Sequence, residues 1–232
     1  NVKENLELSA AVKAVNPLNV TIHGGPSTPS YEHDCEMFFA EHPHVDIAVR
    51  GEGELTFADL LDKLDRHNST ELEVLKAVPG LSYRTSDGVH RTENRERIAD
   101  VDTIPSPYLT GLFDEFGSVR SSAIIETNRG CPYGCTFCDW GSATLSKVRK
   151  FDLERVFAEL EWSAKHNIED ASIADANFGM LERDVAITQK IADLRQVYGF
   201  PNTVGINYAK NQVKYLRDII KILADVGILT EG

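Results

Sequence analysis

Three cysteines lie within one short stretch of the chain, and their C-x3-C-x2-C spacing constrains the fold more than any other feature. Cys131, Cys135 and Cys138 follow an apolar run at 123–125 that is typical of a buried strand. Three thiolates from one loop can bind three irons of a cubane iron–sulfur cluster and leave the fourth iron without a protein ligand. An open metal position is a place where chemistry can occur. The spacing therefore predicts a [4Fe-4S] site.

Two other sites compete with a cluster. A structural zinc site needs a fourth ligand, and the nearest downstream histidine, His166, lies at the end of a predicted helix. A disulfide framework fits less well, because four cysteines in 232 residues without a secretory segment are typical of a reducing compartment. The cluster is the favoured interpretation.

Charge and hydropathy exclude some classes of partner. The chain has 24 basic and 36 acidic residues, a formal net charge of −12, which argues against nucleic acid and anionic membranes. No apolar run approaches the roughly 20 residues that span a bilayer, and no signal-peptide pattern opens the chain. We therefore expect a cytoplasmic protein with no membrane contact. Because the chain starts at Asn1 without methionine, we also expect a fragment.

Strand-like and helix-like stretches alternate over residues 1–76. β-Branched runs at 20–22 and 45–49 predict strands, and apolar residues at helical spacing predict helices at 31–41 and 57–64. This βαβα order predicts a parallel sheet covered by helices. Glycines follow both strands, as in doubly wound sheets that bind ligands at the carboxyl ends of their strands. A tight turn without any ligand explains such a glycine pair about as well.

Residues 77–118 are predicted to connect two domains. Alternating runs at 81–85 and 89–92 flank an Asp-Gly pair, which is typical of a hairpin turn. Two prolines within 104–108 exclude a regular helix or a central strand, because proline lacks an amide donor. The sequence therefore predicts a hairpin followed by a linker.

A strand, loop and helix pattern restarts at residue 119 and repeats to residue 232. The predicted strands are 123–125, 170–174, 203–208 and a start at 228–229. The predicted helices follow Asp152, Asp184 and Val213, and aspartate is a good helix cap. Repeated βα units with ligand groups at the strand ends are typical of a βα barrel.

The cysteine stretch and its flanks, residues 129–141, resemble the cluster loop of radical S-adenosylmethionine (SAM) enzymes, and of their cobalamin-binding branch in particular. In that family three cysteines hold the cluster, and the open iron is chelated by the amino and carboxylate groups of SAM. The resemblance implies that Cys131, Cys135 and Cys138 are the metal ligands. It also implies that Phe137, just before the third cysteine, lies near the adenine.

Polar residues at strand ends are further candidates for SAM contact. Asp175 and Asn177 follow the predicted second strand of the barrel, where the family commonly places groups that bind the SAM amino group. A carboxylate there would pair with an ammonium group. Asp175 as a helix cap or a simple strand end is an equally good interpretation. Asn207, at the end of the third strand, is a weaker candidate for the same role.

Residues 22–26 and 49–54 resemble the later loops of the cobalamin-binding domain that precedes many radical SAM barrels. The corrinoid contacts implied by this resemblance are Gly24, Gly25, Gly51 and Glu52. The D-x-H-x-x-G motif that supplies a cobalt-binding histidine in some cobalamin proteins is absent from this sequence. His23 is not at that motif's position, and we interpret it as structural or adjacent to the nucleotide tail.

The resemblance implies an α/β fold class with two parts. Residues 1–76 would be the C-terminal part of a Rossmann-like cobalamin-binding domain, residues 77–118 a hairpin and linker, and residues 119–232 the first half of a radical SAM (β/α)6 partial barrel. The implied cofactors are a [4Fe-4S] cluster, SAM and cobalamin.

The implied reaction begins when one electron enters the cluster and SAM is cleaved to methionine and a 5′-deoxyadenosyl radical. That radical takes hydrogen from an unactivated carbon, and methyl-cobalamin then provides the methyl group for C-methylation. The implied partners are a small-molecule or peptide substrate and an electron donor such as flavodoxin or ferredoxin. Two alternatives stay open: a radical SAM enzyme of cyclising or rearranging type with a non-corrinoid N-terminal domain, and a non-enzymatic metal-stabilised module.

Overall fold

The chain forms two α/β units, Asn1–Ile98 and Ala99–Gly232. The computed structural model describes residues 2–67, 72–114, 122–135, 147–210 and 214–231. Helices and strands alternate through much of both units, as the sequence predicts, and consecutive strands occur at 81–91 and 123–129. No helix within those ranges is long and apolar enough to cross a membrane.

A four-stranded mixed sheet organises the first unit. Its elements are, in order, α1 (Val2–Val15), β1 (Ile22–His23), α2 (Glu32–Glu41), β2 (Ile47–Val49), α3 (Gly53–His67), a 3₁₀ helix (Leu72–Ala77), β3 (Leu81–Thr85) and β4 (Gly88–Arg91). Strands β1 and β2 are parallel, whereas β3 pairs antiparallel with both β2 and β4. The prediction of a parallel sheet therefore holds only for the first two strands.

The hairpin of β3 and β4 belongs to the first unit and is not a separate connector. Strand β3 extends the sheet beside β2, and Ile47 pairs with Tyr83. Arg50, directly after β2, donates to the carbonyl oxygen of Thr92 at 2.6 Å and to Asn94 Oδ1 at 2.7 Å. The structure thus divides the chain after Ile98, in contrast to the predicted boundaries at 76 and 118.

Strand β2 is buried on both faces because helices cover both sides of it. Ala48 packs in one apolar cluster with Phe39 of α2, and Ile47 packs in another with Leu60 of α3. The predicted apolar face of α3 is only partly buried. Leu60 is fully buried, but Phe57 and Leu61 are 44% and 46% exposed.

The second unit is built from parallel strands joined by helices. Its elements are, in order, a 3₁₀ helix (Val101–Thr103), β5 (Ala123–Ile125), β6 (Asn128–Arg129), β7 (Arg149–Lys150), α4 (Leu153–Lys165), β8 (Asp170–Phe178), α5 (Arg183–Tyr198), β9 (Thr203–Tyr208), α6 (Leu216–Asp225) and β10 (Leu229–Glu231). The sheet has the order β10-β9-β8-β5, with all pairs parallel. Parallel neighbours require crossover connections, and α4, α5 and α6 provide them.

One apolar core joins this sheet to its helices. Ile125, Ile173 and Val204 of the strands pack with Val156 of α4 and Ile187 of α5. Asp152 caps α4 by accepting hydrogen bonds from the amides of residues 154 and 155, as its position predicts.

The predicted core faces of the later two helices need correction at single positions. In α6 the apolar spacing of Leu216, Ile220 and Leu223 predicts three inward side chains, but the buried residues are Ile219 and Leu223, and Ile220 is 53% exposed. In α5 the same kind of spacing predicts Tyr198 on one face with Ile187, Ile191 and Leu194, and Tyr198 is exposed at the last turn of the helix. The helical period was right in both cases, and the error is one residue of rotation or a frayed end.

Strand β8 is longer than the sequence predicts and is irregular in its second half. Its pairing with β9 is regular up to Ile173 and shifts before Phe178. Asp175 and Asn177, predicted to follow a strand that ends at residue 174, are therefore inside the strand and buried. This extension determines how the site below is built.

Candidate functional site

The cysteine segment starts directly after one strand of a small two-stranded sheet. Strand β6 pairs antiparallel with β7, so the chain between them leaves and returns at the same place. Cys131 is buried, Cys135 is partly exposed, and both thiols are free. Gly130, directly before the first cysteine, has a φ of +110°, which favours glycine. Cys138 and Phe137 lie outside the described residues.

Asp175 of β8 fastens the chain that leads into the cysteine segment. Its Oδ1 accepts from the amides of Thr127 at 2.7 Å and Asn128 at 3.1 Å. Its Oδ2 accepts from Asn128 Nδ2 at 2.6 Å and from the Thr127 hydroxyl. A carboxylate offers about four acceptor positions, and four donors occupy them. Asp175 therefore holds the turn between β5 and β6 against β8.

Burial and these donors act on Asp175 in opposite directions. Burial penalises the charged carboxylate and raises the pKa of Asp175 to about 6, although the hydrogen bonds from Thr127 and Asn128 oppose the shift. The nearby Asp184 carboxylate adds to the increase. The group is fully buried, so its ionisation depends on keeping all four donors in place.

Asn177, two residues further along β8, contacts the first cysteine directly. Its Nδ2 donates to Cys131 Sγ at 3.1 Å, and both side chains are buried. Its Oδ1 is buried and has no hydrogen-bond partner among the described residues. Sequence reasoning selected Asn177 as a SAM contact, which stays a prediction, and missed its contact with the cysteine.

The other predicted SAM residue does not join this group. Asn207 lies on β9 and is exposed, and in the described ranges no hydrogen bond links it to Asp175, Asn177 or Cys131. Sequence reasoning also missed Thr127 and Asn128. Two polar residues placed directly between a buried strand and the cysteine segment were the available signal.

The donor set suits an iron–sulfur cluster. Two thiols from one segment lie within the described residues, one of them beneath an amide donor, and thiolate sulfur accepts such hydrogen bonds. Among the described residues no group of three or more histidines, cysteines and carboxylates is placed to hold a metal ion. His166, the candidate fourth ligand for zinc, stacks on Trp162 with ring centroids 3.9 Å apart.

The first unit offers a different kind of site at the carboxyl ends of β1 and β2. A cavity of about 320 Å³ is open there, and it is lined by Ile22, His23, Gly24, Gly25, Val49, Gly53, Glu54 and Phe57. Gly25 has a φ of +86°, and a Cβ atom added to it would meet nothing within 4 Å. Two of the four predicted corrinoid contacts, Gly24 and Gly25, therefore line one cavity.

The other two predicted corrinoid contacts do not line that cavity. Gly51 has a φ of +72° and open space beside it, which suits a turn as well as a ligand. Glu52 accepts a hydrogen bond from the amide of Ile98 at 2.8 Å and lies 3.5 Å from Arg97. Its carboxylate thus fastens the end of the first unit.

His23 lines the cavity, and its ring contacts Ser9 of α1. Its Nε2 lies 2.9 Å from the hydroxyl of Ser9, and burial together with His44 and His42 lowers the pKa of His23. The neutral form is therefore favoured, which agrees with a structural position beside the cavity. Phe57 is a lining residue that sequence reasoning assigned to the core, since helical spacing does not distinguish an apolar cavity wall from a core.

The chain is similar in sequence to two curated methyltransferases. No family model matches the chain. It is 40% identical over 238 residues to 2-(S-pantetheinyl)-carbapenam-3-carboxylate methyltransferase of Streptantibioticus cattleyicolor. This alignment covers 99% of the present chain and 34% of the relative. It is also 40% identical over 238 residues to the cobalamin-dependent radical SAM methyltransferase TokK of Streptomyces tokunonensis, with the same coverage. The chain therefore spans about a third of the length of these relatives.

Solved structures show the same fold at lower sequence similarity. The radical SAM methyltransferase TsrM of Kitasatospora setae, with tryptophan and a SAM analogue bound, matches with a TM-score of 0.65 and 18% identity. A second structure of TsrM, with cobalamin and a [4Fe-4S] cluster bound, gives a TM-score of 0.64. Both matches cover 98% of this chain, and 43% and 44% of the respective TsrM chains.

Proposed function

The chain belongs to the cobalamin-dependent radical SAM family, and we propose that the protein that contains it methylates an unactivated carbon of a small molecule or peptide. The proposal rests on the buried Cys131 thiol, which lies at the start of the cysteine segment under the amide of Asn177. Two relatives that are 40% identical and carry methyltransferase names support it. In this proposal residues 119–232 form the first half of a partial barrel.

The residues of the second unit would hold a [4Fe-4S] cluster through Cys131, Cys135 and Cys138. Such a cluster supplies the electron that cleaves SAM to methionine and a 5′-deoxyadenosyl radical. Burial of Cys131 keeps water from the bound sulfur. Asp175 keeps the entry to the segment in register with β8, because it bonds both Thr127 and Asn128. The electron would come from a donor such as flavodoxin or ferredoxin.

The residues of the first unit would hold cobalamin, which supplies the methyl group. Gly25 leaves room for a bulky group against the backbone after β1, and Gly24 lines the same cavity. Ile22, Val49 and Phe57 form apolar walls of the cavity, and such walls suit the nucleotide tail of a corrinoid.

The first test uses the full-length protein prepared without oxygen. We expect about four irons and four sulfides per chain, an EPR signal after reduction and formation of 5′-deoxyadenosine from SAM. Replacing Cys131, Cys135 and Cys138 together by alanine should abolish all three. Cys35→Ala is the matched control. Cys35 is buried in the first unit, so its replacement should leave the cluster intact. A triple variant that keeps its cluster, or a wild-type protein with zinc and no sulfide, would contradict the proposal.

The second test concerns cobalamin and uses two residues on α3 with similar exposure. Phe57→Ala removes a wall of the cavity, whereas Leu61→Ala removes a side chain that does not line it. We expect about a tenfold loss of corrinoid affinity for the first variant, about 1.4 kcal/mol, and no change for the second. Corrinoid absorption after equilibrium dialysis measures this. Equal affinities in both variants would mean that corrinoid does not bind against Phe57. A wild-type protein that binds no corrinoid would favour a non-corrinoid role for the first unit.

A further inference from the structure

The contact between Asn177 and Cys131 has a chemical direction. The amide Nδ2 lies 3.1 Å from Sγ, and only the amide can donate strongly when the sulfur is a thiolate. Both side chains are more than nine-tenths buried, at 4% and 8% exposure. A hydrogen bond in such a poorly hydrated place is electrostatically stronger than one in water.

The amide is retained there at an energetic cost. The Oδ1 atom of Asn177 is buried with no partner among the described residues. A buried polar atom without a partner costs about 1–3 kcal/mol, so an apolar side chain of the same shape would suit simple packing better. The use of asparagine is therefore explained by its N–H donor and the sulfur that accepts from it.

We propose that Asn177 is a positioning residue that orients Cys131 and raises the reduction potential of the cluster. This inference rests on the proposed function, because it requires a cluster on Cys131. Reduction adds negative charge to the cluster and its sulfurs, and a hydrogen bond to a ligand sulfur stabilises that charge. The reduced state thus gains more from the Asn177 amide than the oxidised state does.

The fold separates this effect from the placement of the segment. Asp175 holds Thr127 and Asn128 by four hydrogen bonds that do not involve Asn177. Replacing Asn177 should therefore leave the entry to the cysteine segment in place. The variant Asn177→Leu keeps the number and branching of the side-chain heavy atoms, is somewhat larger, and removes the N–H donor together with the unpaired Oδ1.

The experiment is a redox titration of the full-length protein, in which EPR follows the reduced cluster. We expect Asn177→Leu to bind as much iron and sulfide as the wild type, and to have a midpoint potential about 59 mV more negative. That shift corresponds to about a tenfold change in the one-electron equilibrium. Gln189→Leu is the matched control, because it removes an exposed amide on α5 whose partner is Asp193. Its potential should equal that of the wild type.

The outcomes separate this inference from the proposed function. Equal potentials in Asn177→Leu and the wild type, at equal cluster content, overturn the inference and leave the cluster itself established. If the leucine variant binds no cluster, Asn177→Ala is the second variant, since it has no amide donor, adds no charge and is smaller than asparagine. A wild-type potential in that alanine variant also overturns the inference. A wild-type protein without iron and sulfide refutes the proposed function itself.

Discussion

The candidate sites in the two units are built in opposite ways. Around Cys131, side chains make the site: Asp175 and Asn177 extend from β8 and bond to the chain entering the cysteine segment. At the ends of β1 and β2, the absence of a side chain at Gly25 leaves open space in a cavity that Gly24 also lines. The site around Cys131 should be lost when one of its hydrogen bonds is removed. The site at the ends of β1 and β2 should be lost when the shape of its cavity is changed.

The largest expected effect is the loss of the Asp175 carboxylate. Asp175→Ala leaves the buried amides of Thr127 and Asn128 without acceptors. Two or more buried groups without partners should lower the free energy of unfolding of this region by about 3–5 kcal/mol. Hydrogen exchange of the amides in β8, followed by mass spectrometry of the full-length protein, measures the change.

Asp170→Ala is the control for this variant, because it lies on the same strand. Asp170 is exposed, and within the described residues it accepts a side-chain hydrogen bond from the Thr203 hydroxyl, so its loss should cost about 0.5 kcal/mol. Similar exchange in both variants would mean that the four bonds to Asp175 do not support the site.

A smaller effect follows from the protonation of Asp175. Its pKa rises from 3.8 to about 6 on folding, mainly because of burial, so the folded state binds the proton more tightly than the unfolded state. The contribution of this group to stability is therefore greatest below about pH 4 and falls as the pH rises through 6, by about 3 kcal/mol in total.

The measurement compares the wild type with Asp175→Asn, which cannot titrate. Between about pH 4 and pH 7, the unfolding free energy of the wild type should fall relative to that of the variant. A difference that is constant over this range would show that the carboxylate has an ordinary pKa in the folded protein.

The smallest effects concern two glycines of the first unit that both have positive φ. A Cβ on Gly80 would lie 2.8 Å from the hydroxyl of the buried Thr56, whereas a Cβ on Gly25 would meet nothing within 4 Å. Gly80→Ala should cost about 2–3 kcal/mol through strain and overlap, and Gly25→Ala about 1 kcal/mol through strain alone. Urea unfolding of both full-length variants checks the order. The reverse order would show that Gly25 is not in open space.

The sequence predicted the order of the elements well, because hydrophobic period and capping residues are local signals. The strands at 123–125 and 203–208 and the helix capped by Asp152 are examples that the structure reproduces. The hairpin turn at Asp87 and Gly88 was also predicted. Its placement in the sheet of the first unit depends on Arg50, which lies more than forty residues before its partners Thr92 and Asn94.

The partners of polar residues were less predictable than the residues themselves. Asp175 and Asn177 were selected as SAM contacts, which stays a prediction, and their partners in the structure depend on where β8 ends. Ala174 and Ala176 gave no sign that the strand continues to Phe178. Glu52 was selected from its glycine-rich surroundings, and its contacts with Ile98 and Arg97 span more than forty residues. Such contacts are set by tertiary structure and leave no local pattern.

The shift in pairing within β8 has a consequence for how the protein can change during evolution. Residues before the shift, such as Ile173, are restricted by the helices that cover the sheet. Asp175 and Asn177 lie within the shifted part, and their side chains bond to the chain around Cys131. Substitutions during evolution are therefore restricted by different partners at the two ends of the strand: the core of the sheet at Ile173, and the chain around Cys131 at Asp175 and Asn177.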